Sequence, residues 1–289
     1  MGVNFLKAVD YWGKEISSLK NKKFFLFDMD GTIYIEQKLF EGAKEFLEFI
    51  EDIGGRYVFI TNNSSKSVKD YILKMNKLGI KADANNFFTS AQAAIYYLKR
   101  YYSGAKVYCQ GTRSLIDELK NSGIRITEEV EQNVDIVLVG FDMELTSQKL
   151  RNTCELLQNE IPFIATNPDI RCPVDFGFVP DCGSICNMIE AATGKKPKYI
   201  GKPEPMMIDI VREKFGYSIE ETVVIGDRLY TDIKAGLNAG VTSVCVLSGE
   251  ASVKDIEEGE IKPTLTFYSV KEMWEAMLSI KMNDFSELF

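Results

Sequence analysis

Two carboxylates, Asp28 and Asp30, stand two positions apart just beyond the apolar run 23–27 (KFFLF), with Gly31 behind them. Extended geometry would aim both side chains to one side, and open parallel sheets take their ligands outside the carboxyl ends of their strands. Like charges at that range repel, so a cation or a retained proton must relieve them. Asp227, after a second apolar run at 222–225, adds a third carboxylate, and an all-oxygen set of this kind suits Mg²⁺. An acidic pair beside a glycine is, on its own, an ordinary capped turn. The chemistry therefore has to be read from several strand ends together.

The elements that would position these residues alternate regularly. The run 23–27 reads as a buried strand, followed by a helix over 43–52, a strand over 57–60, and a polar turn from Thr61 to Ser65 that opens a helix through Leu78. The middle repeats the theme, with strands over 106–109, 135–140 and 163–165 and helices ending at Asn121 and spanning 147–158. A helix over 204–215, strands over 222–225 and 243–247, and a closing helix over 270–278 complete the pattern. Such alternation implies parallel sheet. Before the first strand, Phe5, Val9, Trp12, Ile16 and Leu19 recur at helical spacing, which predicts an amphipathic helix packed on the core.

Composition narrows the function classes. A chain of 289 residues exceeds the usual size of one hydrophobic core, so two α/β domains are expected. A formal net charge of -8 argues against a nucleic-acid backbone or an anionic membrane surface as partner. There is no histidine, which removes Ser-His-Asp triads, histidine phosphotransfer and His-ligated zinc together. Charged residues Lys7, Asp10, Lys14 and Glu15 interrupt the stretch that a signal peptide would keep apolar, and no apolar run approaches membrane-spanning length, so a cytoplasmic protein is expected. Six cysteines without a scaffold rhythm fit a reducing compartment. Cys182 and Cys186, with Cys172, read either as a thiolate metal site or as small apolar filler, and the filler reading is favoured because no CxxC pair occurs.

Four strand ends, FDMDGT around Asp28, ITNNS from Ile60, GKPEP from Gly201 and GDRLYTD from Gly226, resemble in order and placement the four motifs of the haloacid dehalogenase superfamily of phosphotransferases. The insertion after the second motif, the ATNPD segment at 165–169 and the IEAATG run at 189–194 resemble its subfamily IIA, the NagD or 4-nitrophenyl phosphatase type. The resemblance covers about 24–267. It implies a doubly wound, Rossmann-like α/β core with an inserted smaller α/β cap: 1–85 and 198–289 as core, the first part with the N-terminal helix, and 86–197 as cap.

The same resemblance implies a Mg²⁺-dependent phosphatase acting on a small phosphorylated metabolite such as a sugar phosphate or nucleoside monophosphate, with no further cofactor. Asp28 would be the nucleophile that becomes phosphorylated, and Asp30 the general acid and then base. Thr61, the Asn62 amide and Lys202 would hold the phosphoryl group. Asp28, the Asp30 carbonyl and Asp227 would bind the metal, with Asp232 orienting a metal-bound water or pairing with Lys202. Asn63, Asn167, Arg171 and Cys172 would face the substrate, the last two in a loop that also contains Pro173 and Asp175. Cys172 takes the place of a histidine found in relatives, which leaves the substrate class open.

Each residue also has a plainer reading: Thr61, Asn62 and Asp232 as helix caps, Lys202 and Arg171 as solvated side chains. Two other functions use the same residues. A mutase or phosphotransferase would share the intermediate, although 33–42 is too short for the early cap such enzymes carry. A non-catalytic module binding a phosphorylated ligand is the third reading. A homodimer is left open.

Overall fold

The computed structural model describes residues 8–174 and 176–286. Phe5 and Asp175 lie outside these. By contact, the chain divides into two compact units: Met1–Ile60 with Lys74–Phe87 and Val211–Phe289, and Thr61–Leu73 with Phe88–Ile210. The boundaries fall inside secondary-structure elements, as expected when one chain passes repeatedly between two sheets. Among the described residues no helix is long and apolar enough to cross a membrane.

The first unit is built on a six-stranded sheet in the order Leu265–Phe267, Thr242–Val246, Thr222–Gly226, Phe24–Phe27, Arg56–Thr61, Phe87–Thr89. Pairings from the first of these to the fifth are parallel. All four residues of Phe24–Phe27 are buried, as a central strand covered on both faces requires. Phe25 and Phe27 meet Phe46 of the helix Ala43–Asp52 edge to face. That contact fixes the helix over the central strand whose end carries Asp28.

The second unit has its own five-stranded parallel sheet, ordered Lys198–Tyr199, Phe163–Ala165, Ile136–Val139, Lys106–Gln110, Arg125–Thr127. Its helix Cys182–Thr193 places Cys182 and Cys186 in an apolar cluster with Val139, Phe163 and Ile189, with Cys172 packed against it. A hydrogen bond with Cys182, and burial, push the Cys186 thiol up, so it stays protonated. These cysteines are core filler, and all six are free.

Residues 8–19 depart from the expected amphipathic helix. Val9 bridges Glu15 in antiparallel fashion and only Ser17–Leu19 forms a short 3-10 turn. The cause is Asp10, whose Oδ1 accepts hydrogen bonds from the Trp12 and Lys14 amides, each at 2.9 Å. A side chain that captures nearby amides competes with helical hydrogen bonding. Its Oδ2 accepts from the Thr266 amide at 3.1 Å, while the Tyr11 amide donates to the Thr266 carbonyl at 2.7 Å, so the segment is sewn to the sheet's edge strand. The spacing did mark the inward residues, since Ile16 and Leu19 are buried. Asp10→Ala would strand three amide donors and is expected to lower stability by about 1–3 kcal/mol, measured as a lower urea midpoint at unchanged slope.

Candidate active site

In the first unit, Asp28 follows the central strand and Asp227 follows its parallel neighbour, with Phe27 in register with Ile225. Parallel neighbours end on the same edge, so the two carboxylates are brought side by side. Asp232 joins them from the turn of π-helix Leu229–Ile233 that follows Asp227. Carboxylate oxygens of Asp28, Asp227 and Asp232 all lie within 4.8 Å of one another, the one such acidic or thiol cluster among the described residues.

The surroundings hold Asp227 tightly. Its Oδ2 accepts from the Glu250 amide at 2.8 Å, its Oδ1 accepts from the Thr32 hydroxyl at 3.4 Å, and its carbonyl accepts from the Ala251 amide at 2.9 Å. Gly31 is required for this approach: its φ is +86°, and a Cβ there would run into the Asp227 carboxylate. The Gly31 carbonyl is fixed in turn by the Ser248 hydroxyl at 2.7 Å.

Burial, then the charges of Asp28 and Asp232, push the Asp227 carboxyl up to about 7. Arg228 responds in the opposite sense: burial works against its charge, but Asp28, Asp232 and Asp227 outweigh it and raise its affinity for the proton. Its guanidinium also faces Glu250, with Nε 3.1 Å from Oε2 as an ion pair rather than a directed hydrogen bond. Arg228 was not singled out from the sequence, although it lies inside the GDRLYTD motif; three acids gathered together, two of them buried, are the signal for such a counter-charge. The donor set of hard carboxylate oxygens, with Asp227 raised by its burial and by its two acidic neighbours, fits a divalent cation such as Mg²⁺ held by Asp28, Asp227 and Asp232.

Asp30 is not part of that cluster. Its side chain is 57% exposed, 3.6 Å from Lys74 Nζ. The Tyr34 hydroxyl donates to its Oδ2 at 3.3 Å. Lys74 in turn stacks 3.6 Å above the centre of the Tyr34 ring. Lys74 comes from the helix Val68–Lys77, and nothing in its sequence surroundings distinguished it from a solvated lysine.

The second unit gathers the other motif residues. Thr61 closes the strand Arg56–Thr61, and its hydroxyl accepts from the Asn63 amide at 3.2 Å. The Asn63 side chain caps locally, accepting from the Ser65 amide at 2.8 Å and hydroxyl at 2.7 Å. Lys202 is buried beside Asn62, whose side-chain Oδ1 accepts from the Lys202 amide and whose Nδ2 donates to the Lys202 carbonyl, both at 2.8 Å. Asn167 is fully buried, its Oδ1 accepting from the Thr166 hydroxyl at 2.9 Å and its Nδ2 donating to Asp181 at 3.1 Å. Arg171 is exposed and stacks 4.3 Å from the Phe178 ring centre in the hairpin Arg171–Val174 with Gly177–Pro180. Cys172 is half-buried, its thiol donating to the Pro173 carbonyl at 3.7 Å.

Comparison with known proteins identifies the family and the fold. Two family models match the chain: haloacid dehalogenase-like hydrolase over residues 25–125 and HAD-hydrolase-like over residues 199–273. The acid sugar phosphatase of Staphylococcus aureus (strain MRSA252) is 33% identical over 263 residues, spanning 91% of this chain and 100% of that protein. The solved structure of 4-nitrophenylphosphatase from Thermotoga maritima is similar with a TM-score of 0.86 and 39% identity, covering 90% of this chain and 99% of that one. NagD from E. coli K-12 is similar with a TM-score of 0.81 and 36% identity, covering 87% and 98%. The chain belongs to the haloacid dehalogenase-like hydrolase family, in its NagD-type branch, subfamily IIA, and is a phosphoric monoester hydrolase.

The raised Asp227 carboxyl makes a pH prediction. Its folded value of about 7 exceeds its ordinary value of 3.8, so the folded state holds the proton more tightly. The stability this contributes is fully present below the ordinary value and is lost as pH rises through the folded one. With divalent ions chelated, the melting temperature of the wild type minus that of Asp227→Asn should therefore fall between about pH 4 and pH 8. Adding Mg²⁺ should shrink that fall, and a flat difference in chelator would mean that neither burial nor the charges of Asp28 and Asp232 raise the Asp227 carboxyl.

Proposed function

We propose that this protein is a Mg²⁺-dependent, cytoplasmic phosphatase that hydrolyses a small phosphorylated metabolite, of which sugar phosphates are the leading class, through a phosphorylated Asp28. The observation that carries the reading is the cluster of Asp28, Asp227 and Asp232 at one edge of a parallel sheet. Similarity to an acid sugar phosphatase supports the substrate class.

Asp28 attacks phosphorus in line, the ester oxygen departs, and a carboxyl–phosphate bond forms. Asp30, exposed and braced by Tyr34, gives its proton to the departing oxygen. It then takes a proton from the water that attacks phosphorus and frees Asp28. Thr61 and the Asn62 amide donate hydrogen bonds to phosphoryl oxygens, and Lys202 offsets their charge as a compact ammonium group. When bound by Asp28, Asp227, Asp232 and the Asp30 carbonyl, Mg²⁺ supplies charge neutralisation at the phosphoryl group. Segment 86–197 serves as the cap that excludes water and reads the rest of the substrate, with Arg171 as its candidate contact.

Two measurements on 4-nitrophenyl phosphate and a panel of phosphorylated metabolites test this. Asp28→Asn should lower kcat by more than about 10³-fold while circular dichroism stays native; retained turnover would refute the covalent route. EDTA should abolish activity and Mg²⁺ restore it, whereas rates indifferent to chelator would remove the metal from the mechanism.

A further inference from the structure

The side chain of Asn62 does the work of a missing strand. Lys198 and Tyr199 pair in parallel with Ile164 and Ala165. The ladder continues through the Ile200 amide to the Ala165 carbonyl at 3.1 Å and the Gly201 amide to the Thr166 carbonyl at 2.8 Å. At Lys202 the partner changes. The Asn62 carboxamide takes the Lys202 amide on Oδ1 and gives Nδ2 to the Lys202 carbonyl, both at 2.8 Å, as an adjacent peptide group would.

This pairing works only with the carboxamide one way round, because the reverse rotamer would set donor against donor and acceptor against acceptor. Asp169 fixes the choice: its Oδ1 accepts the remaining Asn62 N–H at 3.2 Å. Asp169 is itself anchored, since its carbonyl accepts from the Gly183 amide at 2.8 Å in the first turn of Cys182–Thr193. The Asn62 carbonyl is also held, by the Ser90 hydroxyl at 2.6 Å. Gly201 leaves space for the arrangement, because a Cβ there would come within 2.5 Å of Asn62 Oδ1 and 2.6 Å of the Thr166 carbonyl. Nothing in the sequence position of Asp169, the last residue of the ATNPD segment, suggests this role.

We infer that Asp169 is a positioning residue, which orients the Asn62 carboxamide and thereby fixes the main chain from which the Lys202 ammonium is presented. The inference rests on the phosphatase reading for its effect on turnover, but the clamp itself does not. Lys202 offsets charge that grows as phosphorus is transferred, so loosening its main chain should weaken the transition state more than the bound substrate. A residue that touched substrate would instead raise KM.

The test compares Asp169→Ala, Asp169→Asn, Asn62→Ala and the double variant Asp169→Ala with Asn62→Ala, with Mg²⁺ and 4-nitrophenyl phosphate. Asp169→Ala should lower kcat by about 10- to 100-fold with KM within about 3-fold. Asp169→Asn keeps an acceptor oxygen and should restore kcat to within about 3-fold of wild type. In the Asn62→Ala background, Asp169→Ala should add nothing, because its route to Lys202 is already gone. A raised KM at unchanged kcat, independent multiplication of the two losses, or failure of rescue by Asn would each overturn the assignment. Amide hydrogen exchange at Lys202 reads the clamp without substrate: it should speed up in Asp169→Ala and not in Asp169→Asn. Unchanged exchange at Lys202 overturns the clamp, whereas a wild type that hydrolyses no phosphomonoester but still shows the exchange response overturns the functional reading alone.

Discussion

Three carboxylates within reach of one another in a buried place set the terms for the rest of the first unit. Lost hydration, and then the charges of Asp28 and Asp232, push the Asp227 carboxyl up, and the surrounding chain is arranged to make that bearable. Main-chain donors from 250 and 251 hold Asp227 in place, Arg228 supplies positive charge, and Gly31 gives up its side chain so that the carboxylate fits. A site of this kind costs stability until a cation occupies it. That cost is also what makes it a strong cation site, since the free energy of relieving the repulsion is added to that of binding.

Asp30 shows how the same few residues can carry two kinds of acid chemistry. It is two positions from Asp28, yet it stands outside the cluster, exposed to solvent and braced by Tyr34 and Lys74. A nucleophile must stay ionised against a cation, while a proton donor must be able to exchange its proton. Separation of the two carboxylates into different surroundings serves both needs, and the sequence shows only their proximity.

What could be read from the sequence follows from what is local. Strands such as Phe24–Phe27 and Phe163–Ala165, and the helix Ala43–Asp52, are specified by their own apolar pattern, and they appear where that pattern predicts. The motif aspartates were legible because each follows such a strand. Less legible were elements whose pattern is ambiguous: the helix Ser90–Tyr101, rich in small and aromatic residues, and the hairpin Arg171–Val174 with Gly177–Pro180, which carries exposed Phe178 and packs only half-buried Cys172 and Val179 against the core. The N-terminal segment misled for a different reason. Its spacing is helical, but Asp10 finds better partners in the Trp12, Lys14 and Thr266 amides, and the Thr266 amide lies more than 250 positions away in the chain.

Lys202 makes the same point about contacts that no local pattern records. Its main chain is buried just before Pro203, which has no N–H to offer, and after the Gly201 amide, which donates to the Thr166 carbonyl, the Asn62 carboxamide takes the place of the strand ladder. Buried amide and carbonyl groups there must be satisfied by something other than a strand. A primary carboxamide is the one neutral side chain that presents a donor and an acceptor in the geometry of a peptide group, so Asn at position 62 meets the need where Asp, Ser or Thr would leave one group unpaired. The residue after Thr61 is therefore constrained twice: its main chain by the phosphate-binding turn proposed above, and its side chain by the loop that carries the lysine.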